Sequence, residues 1–180
     1  MKINRLQWFI LAGLGMLSMS CKSDLEVEPI ELQTLEQVFN TQDSAGVNAN
    51  RFLSDCYRFL PNTGNRVGGD FLDASTDDAV SSNPTNTSVQ QMSAGSYTSD
   101  SYPDNQWASN YSGIRRTSLF INNIDRVPLK GQLSNGTPLN RVWKAEAKFL
   151  RAMFYFELVK RYGGVPLLGD KVFQLEDNIE

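Results

Sequence analysis

Apolar and polar positions recur with helical spacing in four stretches of the chain, separated by segments of turn-forming residues. Thr34-Leu35-Glu36-Gln37 has capping-box spacing and predicts a short helix ending near Phe39. Thr41 is placed to cap a second helix over residues 42–60. Ala49, Phe52, Leu53, Cys56, Phe59 and Leu60 lie on its apolar side, and Pro61 closes it. A third helix is predicted over residues 104–127, where Trp107, Tyr111, Ile114, Ser118, Ile121 and Ile124 form one stripe. The fourth, over residues 139–162, is the best formed. Leu150, Met153, Phe154, Phe156, Leu158 and Val159 are expected to supply its apolar contacts. Lys144, Glu146, Lys148, Arg151, Glu157, Lys160 and Arg161 are expected to keep the other face wet. The row Ala145, Phe149, Ala152, Phe156 alternates small and large groups, so a second helix is expected to approach there. Lys160 and Arg161 suit the negative end of the helix dipole. Gly163 suits the residue after the last turn, and Pro166 prevents the helix from resuming.

The segments between these helices are of different kinds. Residues 62–103 are dominated by Gly, Ser, Thr, Asn and Asp, and a loop-rich stretch of that length inside a domain tends to be functional. Residues 128–138 contain Ser134-Asn135-Gly136 and are short enough to make the last two helices an antiparallel pair. Such a pair cannot bury both faces alone, and pairs of this kind stack into solenoids. The Ala152-x3-Phe156 spacing echoes the tetratricopeptide pattern. From periodicity alone, the expectation is a mainly α chain built of helical hairpins.

The amino terminus carries an export pattern. Lys2 and Arg5 precede an apolar run over residues 8–17, then small or slender residues and Cys21. The run is shorter than the roughly 20 residues a spanning helix needs. Leu17-Ser18-Met19-Ser20-Cys21 resembles a bacterial lipobox, in which Cys21 is the lipid-attachment residue. It departs from the pattern at Ser18, where leucine is usual, and at Met19, where a small residue is usual. Residues 1–20 are therefore read as a lipoprotein signal peptide, 21–33 as a surface tether and 34–180 as the folded domain. The acidic residues Asp24 and Glu26 behind Cys21 resemble an export signal to the outer face of the outer membrane. A cysteine bearing several acyl chains (palmitate-type) anchors a protein without a spanning helix.

Composition narrows the chemistry. Loss of residues 1–20 removes Lys2 and Arg5 and leaves 15 basic against 20 acidic side chains, a balance opposed to nucleic-acid binding. The sequence contains no histidine, so a Ser-His-Asp triad, a Cys-His dyad and a His-based zinc site are all excluded. Once Cys21 carries lipid, Cys56 is the only thiol left and is expected to be buried and inert. The cluster Asp70, Asp73, Asp77 and Asp78 lacks the spacing of a calcium loop and reads as an acidic turn rather than a metal or glycosidase site.

Two blocks together resemble one family. EAKFLRAMFYFELVKRYGGVPL, in the fourth helix, is similar to the signature helix of SusD/RagB-family surface lipoproteins. WASNYSGIRRTSLFINNIDRVP, over residues 107–128, is similar to the helix that precedes it. The resemblance implies tetratricopeptide-like helical hairpins with long irregular, ligand-bearing loops, and no cofactor. It also implies a chain several times longer, so residues 1–180 are expected to be the amino-terminal part of a larger product, or a truncated one. The function implied is non-enzymatic capture of oligosaccharide and its delivery to a SusC-like TonB-dependent outer-membrane transporter. Sugar rings are held on aromatic faces, which makes Tyr97, Tyr102 and Trp107 the candidate ligand residues. Asn83, with Asn86 and Asn105, is the candidate hydrogen-bonding partner, and Phe71 is a further loop aromatic. Two rivals stay open: peptide capture of the RagB type, and a helical scaffold without a ligand. A carbohydrate hydrolase acting through Asp77 or Asp78 is third.

Overall fold

The computed structural model describes residues 34–62, 64–85, 87–173 and 177. The expected signal peptide and tether, with Cys21, and Asn86 lie outside the described residues. Among the described residues the architecture is mainly α, with five helices and only isolated β-bridges in place of strands. In chain order the helices are α1 (Leu35–Val38), α2 (Val47–Cys56), α3 (Thr87–Ser93), α4 (Trp107–Asn123) and α5 (Leu139–Tyr162). Single 3-10 turns follow α2 at Tyr57–Phe59 and α4 at Ile124–Arg126, and another stands alone at Leu72–Ser75.

Helix α1 falls where the capping-box spacing predicts, and it buries Val38 and Phe39. Helix α2 does not begin at residue 42. Asn40 and Asp43 make local turns instead: the Asn40 Oδ1 accepts from the Gln42 N–H at 2.7 Å, and the Asp43 Oδ1 accepts from the Gly46 N–H at 2.8 Å. These side chains compete with helix formation for the same backbone donors. Gly46 then takes φ +65°, and a Cβ placed there would come within 2.3 Å of the Leu129 side chain. That combination of positive φ and close approach delays the helix to Val47. From there Ala49, Leu53 and Cys56 are buried as their spacing predicts. Burial pushes the Cys56 thiol up to about 12, so it stays protonated and unreactive at neutral pH.

The antiparallel pair α4 and α5 forms the centre of the fold. Their connection closes through a bridge between Gln132 and Pro138 and a turn at Gly136 with φ +80°. Helix α4 contributes Ile114, Ile121 and, just beyond its end, Ile124; helix α5 contributes Ala147, Leu150, Phe154 and Leu158. Gly113 lets the two backbones approach, because its missing Cβ is the space the Phe154 ring occupies. Helix α2 adds an aromatic group to the same core. Phe39, Phe52 and Phe120 have ring centroids 5.5 to 6.3 Å apart, and the Arg116 guanidinium lies 4.5 Å over Phe52 while pairing with Asp55 at 2.5 Å.

The faces of α5 differ from the sequence expectation. Phe156 is 58% exposed and Val159 50%, and the whole row Ala145, Phe149, Ala152, Phe156 lies on the exposed side. Conversely, Glu157 is buried and the Arg161 side chain is 3% exposed. The physical reason is the helical period. With Phe154 in the buried stripe, a residue two positions on points about 200° away and one three positions on returns to the same side. The contact with α4 therefore runs through residues 147, 150, 154 and 158, and Glu157 is drawn in beside them.

Candidate functional site

Burying charge is unfavourable unless each group is paired, and the end of α5 shows how the pairing is met. Asp104, fully buried just before α4, accepts from Arg66 at 2.5 Å and from the Arg161 Nε at 3.0 Å. Arg161 also pairs with Glu157 one turn back, and Glu157 accepts from Lys160 at 2.8 Å. Burial alone would raise the Glu157 carboxyl. Hydrogen bonds from Lys160 and Arg161 overcome that and hold it below the usual glutamate range. The network ties three segments together: the loop at Arg66, the entry to α4, and the last turn of α5.

That tie assembles an aromatic cluster. Tyr97 and Tyr102 stand with ring centroids 5.8 Å apart, Tyr102 meets Tyr162 edge-on at 6.4 Å, and Tyr162 meets Trp107 edge-on at 5.1 Å. Tyr111 continues the series at 5.0 Å from Trp107. The Tyr162 hydroxyl accepts from the Gln106 N–H and donates to the Asn105 Oδ1, both at 2.9 Å. Asn105 uses that same oxygen to accept from the Trp107 N–H at 3.0 Å, an Asx turn that leads the chain into α4. Burial, and then the Asp104 carboxylate, raise the Tyr102 phenol, so it is a neutral donor across the physiological range. Beside these rings lies an open cavity of about 470 Å³ lined by Tyr97, Thr98, Ser99, Tyr102, Arg161 and Tyr162. Tyr97 and Trp107 are 44% and 40% exposed, which leaves ring surface for a ligand.

The structure thus brings Tyr97, Tyr102 and Trp107 together and adds Tyr162, which the sequence reading placed only at the end of a scaffold helix. Hairpin topology was the available signal: the start of the first helix of an antiparallel pair lies beside the end of the second. Asn83 is placed elsewhere. It lines a different cavity with Val80, Ser81, Pro84 and Val89, and its Oδ1 accepts from both the backbone N–H and the hydroxyl of Thr85. Phe71 is exposed beside Gly64 and makes no ring contact with the cluster. In the acidic segment, Asp70 bonds the Ser81 hydroxyl and bridges to Val67, and Thr76 folds back on the Asp73 carbonyl. Among the described residues, no three His, Cys, Asp or Glu side chains are grouped as a metal site would need.

Comparison with known proteins bears on the whole described region. Residues 26–174 match the model of a SusD-like family described as starch-binding and associating with the outer membrane. A SusD-like protein of Formosa agariphila is 32% identical over 164 residues, which cover 89% of this chain and 29% of that protein. The chain therefore spans less than a third of the length of that relative. No solved structure matches it. The family match includes both helices of the central hairpin and the loops that carry the aromatic cluster, and on that match the chain belongs to the SusD-like family.

Proposed function

We propose that this chain is part of a cell-surface lipoprotein that binds glycan on the aromatic cluster and passes it to a SusC-like TonB-dependent transporter. The observation that carries the reading is the convergence of Tyr97, Tyr102 and Tyr162 on an open cavity, with the half-exposed Trp107 packed against Tyr162. Exposed aromatic faces with nearby hydroxyl and amide groups are what a sugar ring requires, because its C–H face is apolar and its rim is polar. Asn105 fits the polar role, since its oxygen is spent on α4 and Tyr162 while its amide nitrogen has no partner among the described residues. The family description, starch-binding and associating with the outer membrane, supports both ligand class and location. Cys21 is the proposed lipid anchor and residues 22–33 the tether. Catalysis is no part of the proposal: these 180 residues contain no histidine, and the Asp70 carboxylate is engaged by the Ser81 hydroxyl.

Affinity electrophoresis in soluble starch, with calorimetry against maltooligosaccharides and a casein digest, tests the reading. The expected result is retardation by glycan, no heat with peptides, and binding about three- to tenfold weaker in Tyr97→Ala and Tyr102→Ala, as for loss of one aromatic contact. Binding of peptides alone overturns the glycan assignment in favour of the RagB-type cargo.

A further inference from the structure

A second cavity shares Trp107 with the aromatic cluster but no lining residue with the cavity of the glycan reading. Beyond α5 the chain turns at Gly163 and runs back across α4 as a strap, residues 163–173. The strap is fastened along its edges by polar contacts. The Tyr111 hydroxyl donates to the Pro166 carbonyl at 2.9 Å, the Leu168 N–H donates to the Tyr155 hydroxyl at 3.0 Å, and Asn122 donates to the Asp170 carbonyl at 2.9 Å. Arg151 clasps Gly169 and Asp170 at 3.1 and 2.6 Å. With the edges held, the interior is left apolar. Trp107, Tyr111 and Ile114 form one wall and Pro166, Leu168 and Phe173 the other, around a cavity of about 320 Å³. That is the lower end of the roughly 300–1,000 Å³ range of small-molecule pockets.

Two cations line this apolar space, and they differ in what they already hold. Lys171 pairs with Asp177 at 2.8 Å and sits 4.6 Å over the Phe173 ring. Arg115 donates one N–H to the Phe173 carbonyl and, among the described residues, pairs with no carboxylate. A guanidinium presents five donors in a fixed fork that matches a carboxylate, so this one keeps the capacity to take an acid. Among the described residues, no acidic side chain lines the cavity to compete for it.

We propose that this cavity binds a small aromatic carboxylate, its ring between Trp107, Tyr111 and the strap and its acid group on Arg115. The aromatic walls favour a flat ring, because Trp and Tyr faces and edges offer more contact to a ring than to a flexible chain. Arg115, which pairs with no carboxylate among the described residues, selects an anion over a neutral ring of the same shape. A cavity of about 320 Å³ suits a single ring better than a chain of sugars, so the ligand is either a free aromatic acid or one carried as a substituent on a larger molecule.

Titration calorimetry of the purified full chain with sodium cinnamate and with cinnamamide tests this. Cinnamate is expected to bind saturably at one site, at least about fivefold more tightly than cinnamamide, the modest size reflecting an exposed arginine. Arg115→Gln is expected to bring cinnamate down to the level of the amide, and Val172→Trp, which fills the cavity, to abolish binding of both. Far-UV circular dichroism and the urea midpoint of each variant show that it is folded. Tyr97→Ala should leave cinnamate binding unchanged, so failure here and failure of the glycan reading are separate events. Absence of a saturable heat, equal affinity for acid and amide, or an unaltered Arg115→Gln each overturns the proposal.

Discussion

Replacing Gly113 with alanine tests the crossing of α4 and α5 on which the aromatic cluster depends. In an exposed helix interior this change stabilises by about 1 kcal/mol, because alanine loses less backbone freedom than glycine. Here the new Cβ would stand 2.7, 2.7 and 2.9 Å from three carbons of the Phe154 ring, well inside carbon–carbon contact at about 3.5–4.0 Å. The ring cannot simply retreat, since Phe154 is fully buried and packed in the same core as Ile114, Leu150 and Leu158. Overpacking of this kind costs about 1–3 kcal/mol, and three simultaneous contacts place it in the upper part of that range. After the propensity gain, a net loss of about 1–2 kcal/mol is expected. Urea unfolding reads it as a lower midpoint at unchanged slope. In the double variant Gly113→Ala/Phe154→Leu, the smaller side chain should recover part of the loss, with a coupling of about 1 kcal/mol. A Gly113→Ala protein as stable as the parent or more so would refute the packing argument.

The two faces of α5 predict opposite responses to the same substitution. Phe154→Ala should cost about 3–5 kcal/mol in urea unfolding, whereas Phe156→Ala, on the exposed row, should change stability by no more than about 0.5 kcal/mol; similar losses at the two sites would contradict the assigned faces. Acid sensitivity follows from Glu157, whose carboxyl is held below its ordinary value in the folded state. Between the ordinary and the depressed value the unfolded chain binds the extra proton, so the contribution of Glu157 is complete above the ordinary value and disappears as pH falls through the depressed one. Glu157→Gln should lower the urea midpoint at pH 7 and flatten its fall as pH drops below the ordinary glutamate range; an equally steep fall in the variant would count against the network.

Much of the helical framework was legible because its signals are local. The bounds of α5 follow from Pro138 ahead of it and Gly163 behind, where φ is +74° and only the glycine conformation fits. The start of α2 was not legible, since Thr41 looks as good a cap as any until Asn40 and Asp43 capture the backbone donors around it. Helix α3 hid inside residues 62–103 for a related reason. Its residues Thr87–Ser93 have weak helical propensity, and Val89, buried at 3% exposure, is what anchors it. The faces of α5 were misjudged because six apolar residues crowd its last turns, leaving no single stripe by composition. Gly113 on the facing helix α4 leaves the space into which Phe154, and not Phe156, turns.

The site was legible in its parts and not in its assembly. Tyr97, Tyr102 and Trp107 can be picked out as loop aromatics, but whether such residues bind a ligand or merely fasten a loop depends on what lies behind them. Behind these three is Tyr162, 60 residues from Tyr102 in the chain, and behind Tyr162 the pairing of Arg161 with Asp104 and Glu157. Arg161 and Glu157 were expected to face water, as charges near a helix end usually do. Their burial changes the meaning of the aromatics beside them. A paired, desolvated network resists rearrangement, because breaking one partner strands the others. It therefore holds the entry to α4 against the end of α5 and keeps the rings in one place while Tyr97 and Trp107 stay open to solvent. Exposed rings on a mobile loop would have to be ordered by each ligand at an entropic cost, whereas rings already fixed by buried charge present a ready surface. The charges in the last turn of α5 thus hold the aromatic residues in the arrangement proposed to bind, and Arg161 itself lines the cavity beside them.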